Sequence, residues 1–145
     1  MLRKSIKDDV GGSVFVELIV KFLLVAYVML LAINLFDVVI KYQNVTYTAK
    51  SLAKLVELEG ELTDSAQRKL IDLNESFGMD MKFKIDASYL SPGSNKIQFR
   101  NPFTIEVSYE YRLPIIDPVV AKAPIEIPIR MSADVTGMSE VYWKE

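Results

Sequence analysis

The chain has 145 residues and a net charge of −2, from 17 basic and 19 acidic residues. This balance gives no electrostatic basis for nucleic-acid binding, so no nucleic-acid partner is expected. Cysteine and histidine are both absent, which excludes disulfides, thiol nucleophiles and the commonest zinc ligand and general base. We therefore expect no cofactor, no metal site, no small-molecule substrate and no enzymatic activity.

A short polar leader, residues 1–12, ends in glycine. Ser13 and three apolar residues follow it, and then Glu17 stands just inside a longer apolar segment. A charged leader, a glycine, a few apolar residues and a glutamate, in this order, resemble the class III signal of type IV pilin-like proteins. The resemblance implies that a prepilin peptidase cuts after Gly12, which makes Ser13 the new N-terminus and Glu17 the fifth residue of the mature chain.

The segment from Leu18 to Phe36 is apolar apart from Lys21 and Asn34. At ~1.5 Å per residue it spans ~28 Å, close to the hydrocarbon thickness of a bilayer. It is too long for a cleavable secretory signal and has no small-x-small cleavage site after it. We predict a single transmembrane helix over residues 13–40 and an extracytoplasmic α+β domain over residues 41–145. Basic residues flank the segment equally, so this orientation follows from the pilin resemblance and not from the charge count.

Glu17 has two interpretations, which are compatible with each other. A carboxylate at the edge of the hydrocarbon is costly and is usually paired and functional. In the first interpretation its partner is the freed α-amino group of a neighbouring subunit, and the pair fixes the register between assembled helices. In the second its partner is Lys21, four residues further along the same helix face, or Lys21 extends to the headgroups.

The helical pattern continues beyond the apolar segment. No glycine or proline interrupts residues 15–59, so one helix is predicted to run to Glu59 and to stop at Gly60. A second, shorter helix is predicted between a cap at Thr63 or Asp64 and a stop at Gly78. The apolar stripes of the two helices are Val45, Ala49, Leu52 and Val56, and Ala66, Leu70, Leu73 and Phe77.

After Gly78 the apolar period changes to two, which predicts antiparallel strands. Four strands are expected, around residues 83–89, 97–99, 103–111 and 125–131, with Pro114, Pro118 and Pro124 bracketing a loop. A sheet with one apolar face needs a cover, which the two helical stripes can supply. Pro128 cannot donate a ladder hydrogen bond, so the last strand is predicted to lie at an edge. The predicted fold class is α+β, with a long N-terminal helix, a second short helix and a small four-stranded antiparallel sheet, as in pilins.

Residues 137–144 read Gly137-Met138-Ser139-Glu140-Val141-Tyr142-Trp143-Lys144. This stretch resembles the Gly-x-Ser-Glu-Val-Tyr-Trp-Lys ending of an uncharacterised family of Firmicutes membrane proteins linked to pilus or secretion loci. Tyr142 and Trp143 have two interpretations: a recognition element or membrane-interface pair, or an aromatic pair that packs on the end of the sheet.

The order of elements resembles a TadE-like pseudopilin. The resemblance implies a minor pilin or pseudopilin of a Tad or type IV-like pilus or secretion system, which assembles through its N-terminal helix. Its expected location is the cell membrane, with incorporation into a surface filament, and its expected partners are the membrane, other pilin-like subunits and a prepilin peptidase. The alternative is an uncleaved single-pass membrane protein whose external domain is a binding or accessory module of an envelope or conjugation complex.

Overall fold

The computed structural model describes residues 5–91, 93–116 and 125–144. They form two helices and a three-stranded antiparallel sheet of order β1-β2-β3, so the chain is α+β as predicted. The elements are α1 (Ser5–Glu59), α2 (Asp64–Phe77), β1 (Lys82–Ala87), β2 (Pro102–Ile116) and β3 (Ile125–Met138). Contacts divide the chain into two compact units, Met1–Asp37 and Val38–Glu145.

Helix α1 ends where the sequence predicts. Gly60 follows its last residue with a φ of +65°, a left-handed conformation that side chains other than glycine rarely adopt. At its other end α1 begins at Ser5, earlier than residue 13, where the transmembrane helix is predicted to begin. The predicted stripe is confirmed, since Val45, Ala49, Leu52 and Val56 are all fully buried.

Helix α2 is also confirmed at both ends, but its cap differs from the expected one. Thr63 is the N-cap residue, yet its side chain makes no capping bond with the helix. Its hydroxyl donates instead to the carboxylate of Glu59 at the end of α1. Gly78 closes the helix with a φ of +61°. Ala66 and Leu73 are the buried residues of its stripe, and Leu70 and Phe77 are partly buried.

The sheet has three strands, and the prediction of four is wrong at residues 97–99. Ile97 makes an isolated bridge with Tyr89 and Lys96 makes one with Glu61, but no ladder forms. The Ile97 N–H donates instead to the Gly60 carbonyl at 2.7 Å. Arg100 then adopts a φ of +64°, which ends the extended backbone. Ile97 is fully buried, so the apolar pattern correctly indicated burial but not strand pairing.

Strands β2 and β3 are longer than predicted. Pro114 does not end β2, because the pairing continues past it through a register shift between Pro114 and Ile116. Pro118 and Pro124 lie outside the described residues. β3 pairs only with β2, which confirms that Pro128 lies on an edge strand.

The core of the Val38–Glu145 unit lies between the helices and the sheet. The α1 stripe packs in one cluster with Phe103, Ile105 and Val107 of β2, all of which are buried. Met79, Met81 and Ile97 complete it from the connecting segments. The predicted cover of the apolar sheet face by the two helical stripes is therefore confirmed.

Thr48 is the exception among the buried α1 residues. Its side chain is fully buried, and its hydroxyl finds no hydrogen-bond partner among the described residues. Burying an unpartnered hydroxyl costs about 1–3 kcal/mol. We expect Thr48→Val to keep the shape of the side chain and to raise the free energy of unfolding by about 1–2 kcal/mol.

The measurement is urea unfolding of the full chain in detergent, followed by far-UV circular dichroism. Thr46→Val is the matched control, because the Thr46 hydroxyl donates to the Tyr42 carbonyl at 3.0 Å. The control makes the same chemical change in the same helix but loses a formed bond, so it should be neutral or destabilising. Equal effects of the two variants would contradict the prediction.

Candidate functional site

The N-terminal part of α1 presents apolar side chains on every face. Within Gly12–Glu59 the helix is long and apolar enough to cross a membrane. An 18-residue stretch of it has a mean hydropathy of 2.5, and none of that stretch is buried. Most of the large apolar residues from Val14 to Ile40 expose between 41% and 70% of their surface, whereas Leu31 and Val38 are partly buried. Exposed apolar surface of this extent is unfavourable in water and is compatible with a membrane anchor.

Glu17 and Lys21 introduce two charges into this surface, and the structure brings them together. The Lys21 Nζ lies 2.6 Å from Glu17 Oε1, in an i, i+4 pair along the helix. This is the local pairing that the sequence allows, with the glutamate on the N-terminal side of the lysine, the more favourable order. Both side chains remain more than half exposed, so the carboxylate oxygens of Glu17 and the N–H donors of Lys21 remain accessible to another group.

The predicted cleavage site lies within the helix. Gly12 belongs to α1, and a Cβ atom built on it meets no other atom within 4 Å. Ser13 beside it is exposed. A Cβ atom at Gly12 is therefore accommodated without a close contact among the described residues.

The C-terminal segment is bound to the end of α1. Trp143 donates from its indole Nε1 to the Gly60 carbonyl at 3.2 Å. Its backbone N–H donates to Gln98 Oε1 at 2.9 Å, and Gln98 Nε2 donates back to the Trp143 carbonyl at 3.2 Å. Lys96 Nζ stands 4.3 Å from the centre of the indole ring, within cation–π range. We call residues 139–143, together with Gly60 and Gln98, the C-terminal clamp.

Ser139 and Glu140 form the other contacts of the clamp. The buried Ser139 hydroxyl donates to the Ile97 carbonyl at 2.9 Å. The Glu140 N–H donates to the Glu57 carbonyl at 2.9 Å. Lys54 bonds both Glu57 and Glu140, at 3.1 and 3.2 Å, and these hydrogen bonds, to Glu57 first, raise the pKa of Lys54 above its ordinary 10.5.

Tyr142 and Trp143 therefore have different environments. Trp143 is half-buried and fixed in the clamp, as expected for an aromatic residue that packs on the fold. Tyr142 is 69% exposed, so it keeps its interpretation as an interaction residue. The sequence patterns did not indicate Gln98 or the hydrogen bond that the Gly60 carbonyl accepts. Both residues bond Trp143, which lies 45 residues after Gln98 and 83 residues after Gly60, so no local pattern indicates either contact.

Among the described residues no group of three or more histidine, cysteine, aspartate or glutamate residues could hold a metal ion. The interactions around the clamp are structural hydrogen bonds, and those around Glu17 are electrostatic. Both kinds of interaction position segments of the chain.

The fold and the site together define an α+β protein with a helix that is long and apolar enough for a membrane. The chain belongs to the family described as Domain of unknown function (DUF4320), which matches residues 22–144. The matched range contains the whole C-terminal clamp, and it leaves out Gly12, Ser13, Glu17 and Lys21. No curated protein and no solved structure matches the chain.

Proposed function

We propose that this protein is a membrane-anchored structural subunit, a minor pilin or pseudopilin-like component of a pilus or secretion assembly. One observation carries the proposal: the apolar part of α1 from Val14 to Phe36 is mostly exposed and holds a single acidic residue, Glu17, near its start. A bilayer covers such a surface before assembly, and neighbouring copies of the helix cover it afterwards. The role is non-catalytic, and the external domain contacts other subunits or a partner.

Processing after Gly12 is the first test. We expect mass spectrometry of the protein from a host with an active prepilin peptidase to find a chain that begins at Ser13. Gly12→Val should block the cut, because it changes the residue before the scissile bond and meets no neighbouring atom. Gly11→Val is the matched control, one residue further from the bond, and should still be cut. Met1 still attached to the unmodified chain would contradict the pilin-type processing.

A second candidate is favoured by the Glu17–Lys21 ion pair at 2.6 Å. In this candidate the protein is an uncleaved single-pass membrane protein, and the pair neutralises both charges within one helix. The Val38–Glu145 unit then acts as a binding or accessory module of an envelope or conjugation complex. The candidates differ in what Glu17 does, and a double-mutant cycle at the two charges separates them.

A further inference from the structure

Strand β1 lies at one edge of the sheet and pairs with β2 alone. Among the described residues no other strand, loop or side chain bonds the backbone of β1, so its outward N–H and C=O groups are open to another strand. Just before β1, the Asn74 side chain already bonds the Met81 N–H and carbonyl, at 3.0 and 3.1 Å. The open edge therefore begins at Lys82.

The two faces of β1 carry different side chains. The face that packs against the core carries Phe83, Ile85 and Ala87. Lys84 and Asp86 lie on the other face and are exposed. Within the part of the chain that the structure describes, neither of them forms an ion pair or a side-chain hydrogen bond. Two opposite charges are therefore available beside the open edge.

These charges select how a second copy of β1 pairs with this edge. Two identical antiparallel strands that bring the same faces together have their two-fold axis at one residue. An axis at Ile85 places Lys84 of each copy opposite Asp86 of the other, which is attractive, and places Phe83 opposite Ala87. Axes at the other positions of β1 place lysine opposite lysine, aspartate opposite aspartate, or no charges opposite each other.

We propose that β1 binds a second copy of the chain edge to edge, with the two-fold axis at Ile85, and joins two three-stranded sheets into one of six strands. The edge of β3 is a poorer site, because it contains Pro128, which has no N–H to donate. The proposal goes beyond the subunit role and uses only the Val38–Glu145 unit. Its outcome is therefore independent of whether α1 inserts into a membrane or is processed.

The first measurement is the mass of the full chain in detergent micelles by sedimentation equilibrium. We expect the unmodified chain to be a dimer. Asp86→Lys and Lys84→Asp each turn both attractive pairs into repulsive ones, so each should weaken the dimer by about tenfold. An equimolar mixture of the two variants should recover the dimer, because each chain then supplies the charge that the other needs.

Asp134→Lys is the matched control. It makes the same charge reversal on the same face of the sheet, but on β3 at the other edge, so the dimer should remain. Far-UV circular dichroism shows whether each variant folds. Lys84 stands opposite Glu106 in its own chain, whereas Asp86 stands opposite the uncharged Thr104. Asp86→Lys therefore tests the contact without a new repulsion inside the chain.

The absence of cysteine allows a second measurement, which reports the register. Opposite Cα atoms in an antiparallel pair lie ~4.5–5.5 Å apart, within the range of a disulfide. Ile85→Cys should therefore form disulfide-linked dimers on oxidation. Ala87→Cys is its matched control on the same face, and its two copies are separated by ~14 Å along the strands, so they should stay unlinked.

Four results would overturn the proposal. The first is a monomeric unmodified chain, and the second is a dimer that persists in folded Asp86→Lys, since another surface then holds it. The third is a dimer that Asp134→Lys also disrupts, which assigns the contact to the edge of β3. The fourth is equal disulfide linkage at positions 85 and 87, which excludes the axis at Ile85.

Discussion

Gly60→Ala is expected to destabilise the Val38–Glu145 unit by about 2–5 kcal/mol, and Gly78→Ala by only about 1–2 kcal/mol. Both glycines end a helix with nearly the same φ, +65° and +61°, so the backbone strain of an alanine is nearly the same at both. The surroundings differ. A Cβ atom on Gly60 would lie 2.5 Å from Val141 Cβ and 3.1 Å from Trp143 Nε1, whereas one on Gly78 meets nothing within 4 Å.

The difference in unfolding free energy between the two variants measures how strongly the C-terminal clamp packs against Gly60. An alanine at Gly60 requires that either the clamp or the end of α1 move. Movement of the clamp breaks the Trp143–Gly60 hydrogen bond. Trp143 is the only tryptophan in the chain, so its fluorescence reports the clamp directly. Unfolding of the unit is followed separately by far-UV circular dichroism of the full chain in detergent.

In Gly60→Ala the tryptophan emission should shift to the red under native conditions, because the indole becomes more exposed to water. In Gly78→Ala the emission should be unchanged until the unit unfolds. Equal losses of stability in the two variants, with an unshifted tryptophan in both, would mean that Val141 and Trp143 do not press on Gly60.

Glu17→Ala is expected to reduce assembly by more than tenfold if Glu17 pairs with a neighbouring subunit. Truncating one partner of a buried charge pair typically costs about 2–5 kcal/mol, and each ~1.4 kcal/mol is a factor of ten. Under this proposal Lys21→Ala should still assemble, because Glu17 remains to pair with the neighbouring subunit. The double variant Glu17→Ala/Lys21→Ala should lose assembly to the same extent as Glu17→Ala alone.

The second candidate function gives the opposite pattern. If the two charges serve only each other, each single variant leaves an uncompensated charge in an apolar helix, which costs up to about 2.5–3.5 kcal/mol in membrane insertion. The double variant removes both charges and should behave like the unmodified chain. The readouts are membrane retention after alkaline extraction and disulfide-linked oligomers of a Leu24→Cys reporter in native membranes. Full assembly of Glu17→Ala would reject the register role.

Local patterns in the sequence predicted much of this fold. The 3.6-residue repeat identified all four buried residues of the α1 stripe, and glycine identified where both helices end. The two-residue alternation identified β1, β2 and β3, and Pro128 identified the edge. These features depend on periodicity and on φ, which a short window of residues determines.

The candidate site was predicted in part. The i, i+4 spacing gave the Glu17–Lys21 pair as one of two interpretations, and the structure forms it. Residues 97–99 were predicted as a strand because they are apolar and alternate, but the Ile97 N–H donates to Gly60 and not to a neighbouring strand. An apolar residue in a short segment indicates burial, and it does not indicate which backbone group will satisfy its N–H.

The sequence by itself determined that α1 is apolar enough for a membrane, where the helices end and which strand faces are buried, because neighbouring residues encode each of these. Only the tertiary structure decided that Trp143 bonds Gly60, 83 residues earlier, and that the buried Thr48 hydroxyl has no hydrogen-bond partner among the described residues. It also decided that Ile125 and Ile127 at the start of β3 are about half exposed. Each of these depends on which segments meet in space. The free energy of such a contact depends on both segments together, so neither segment's sequence determines it alone.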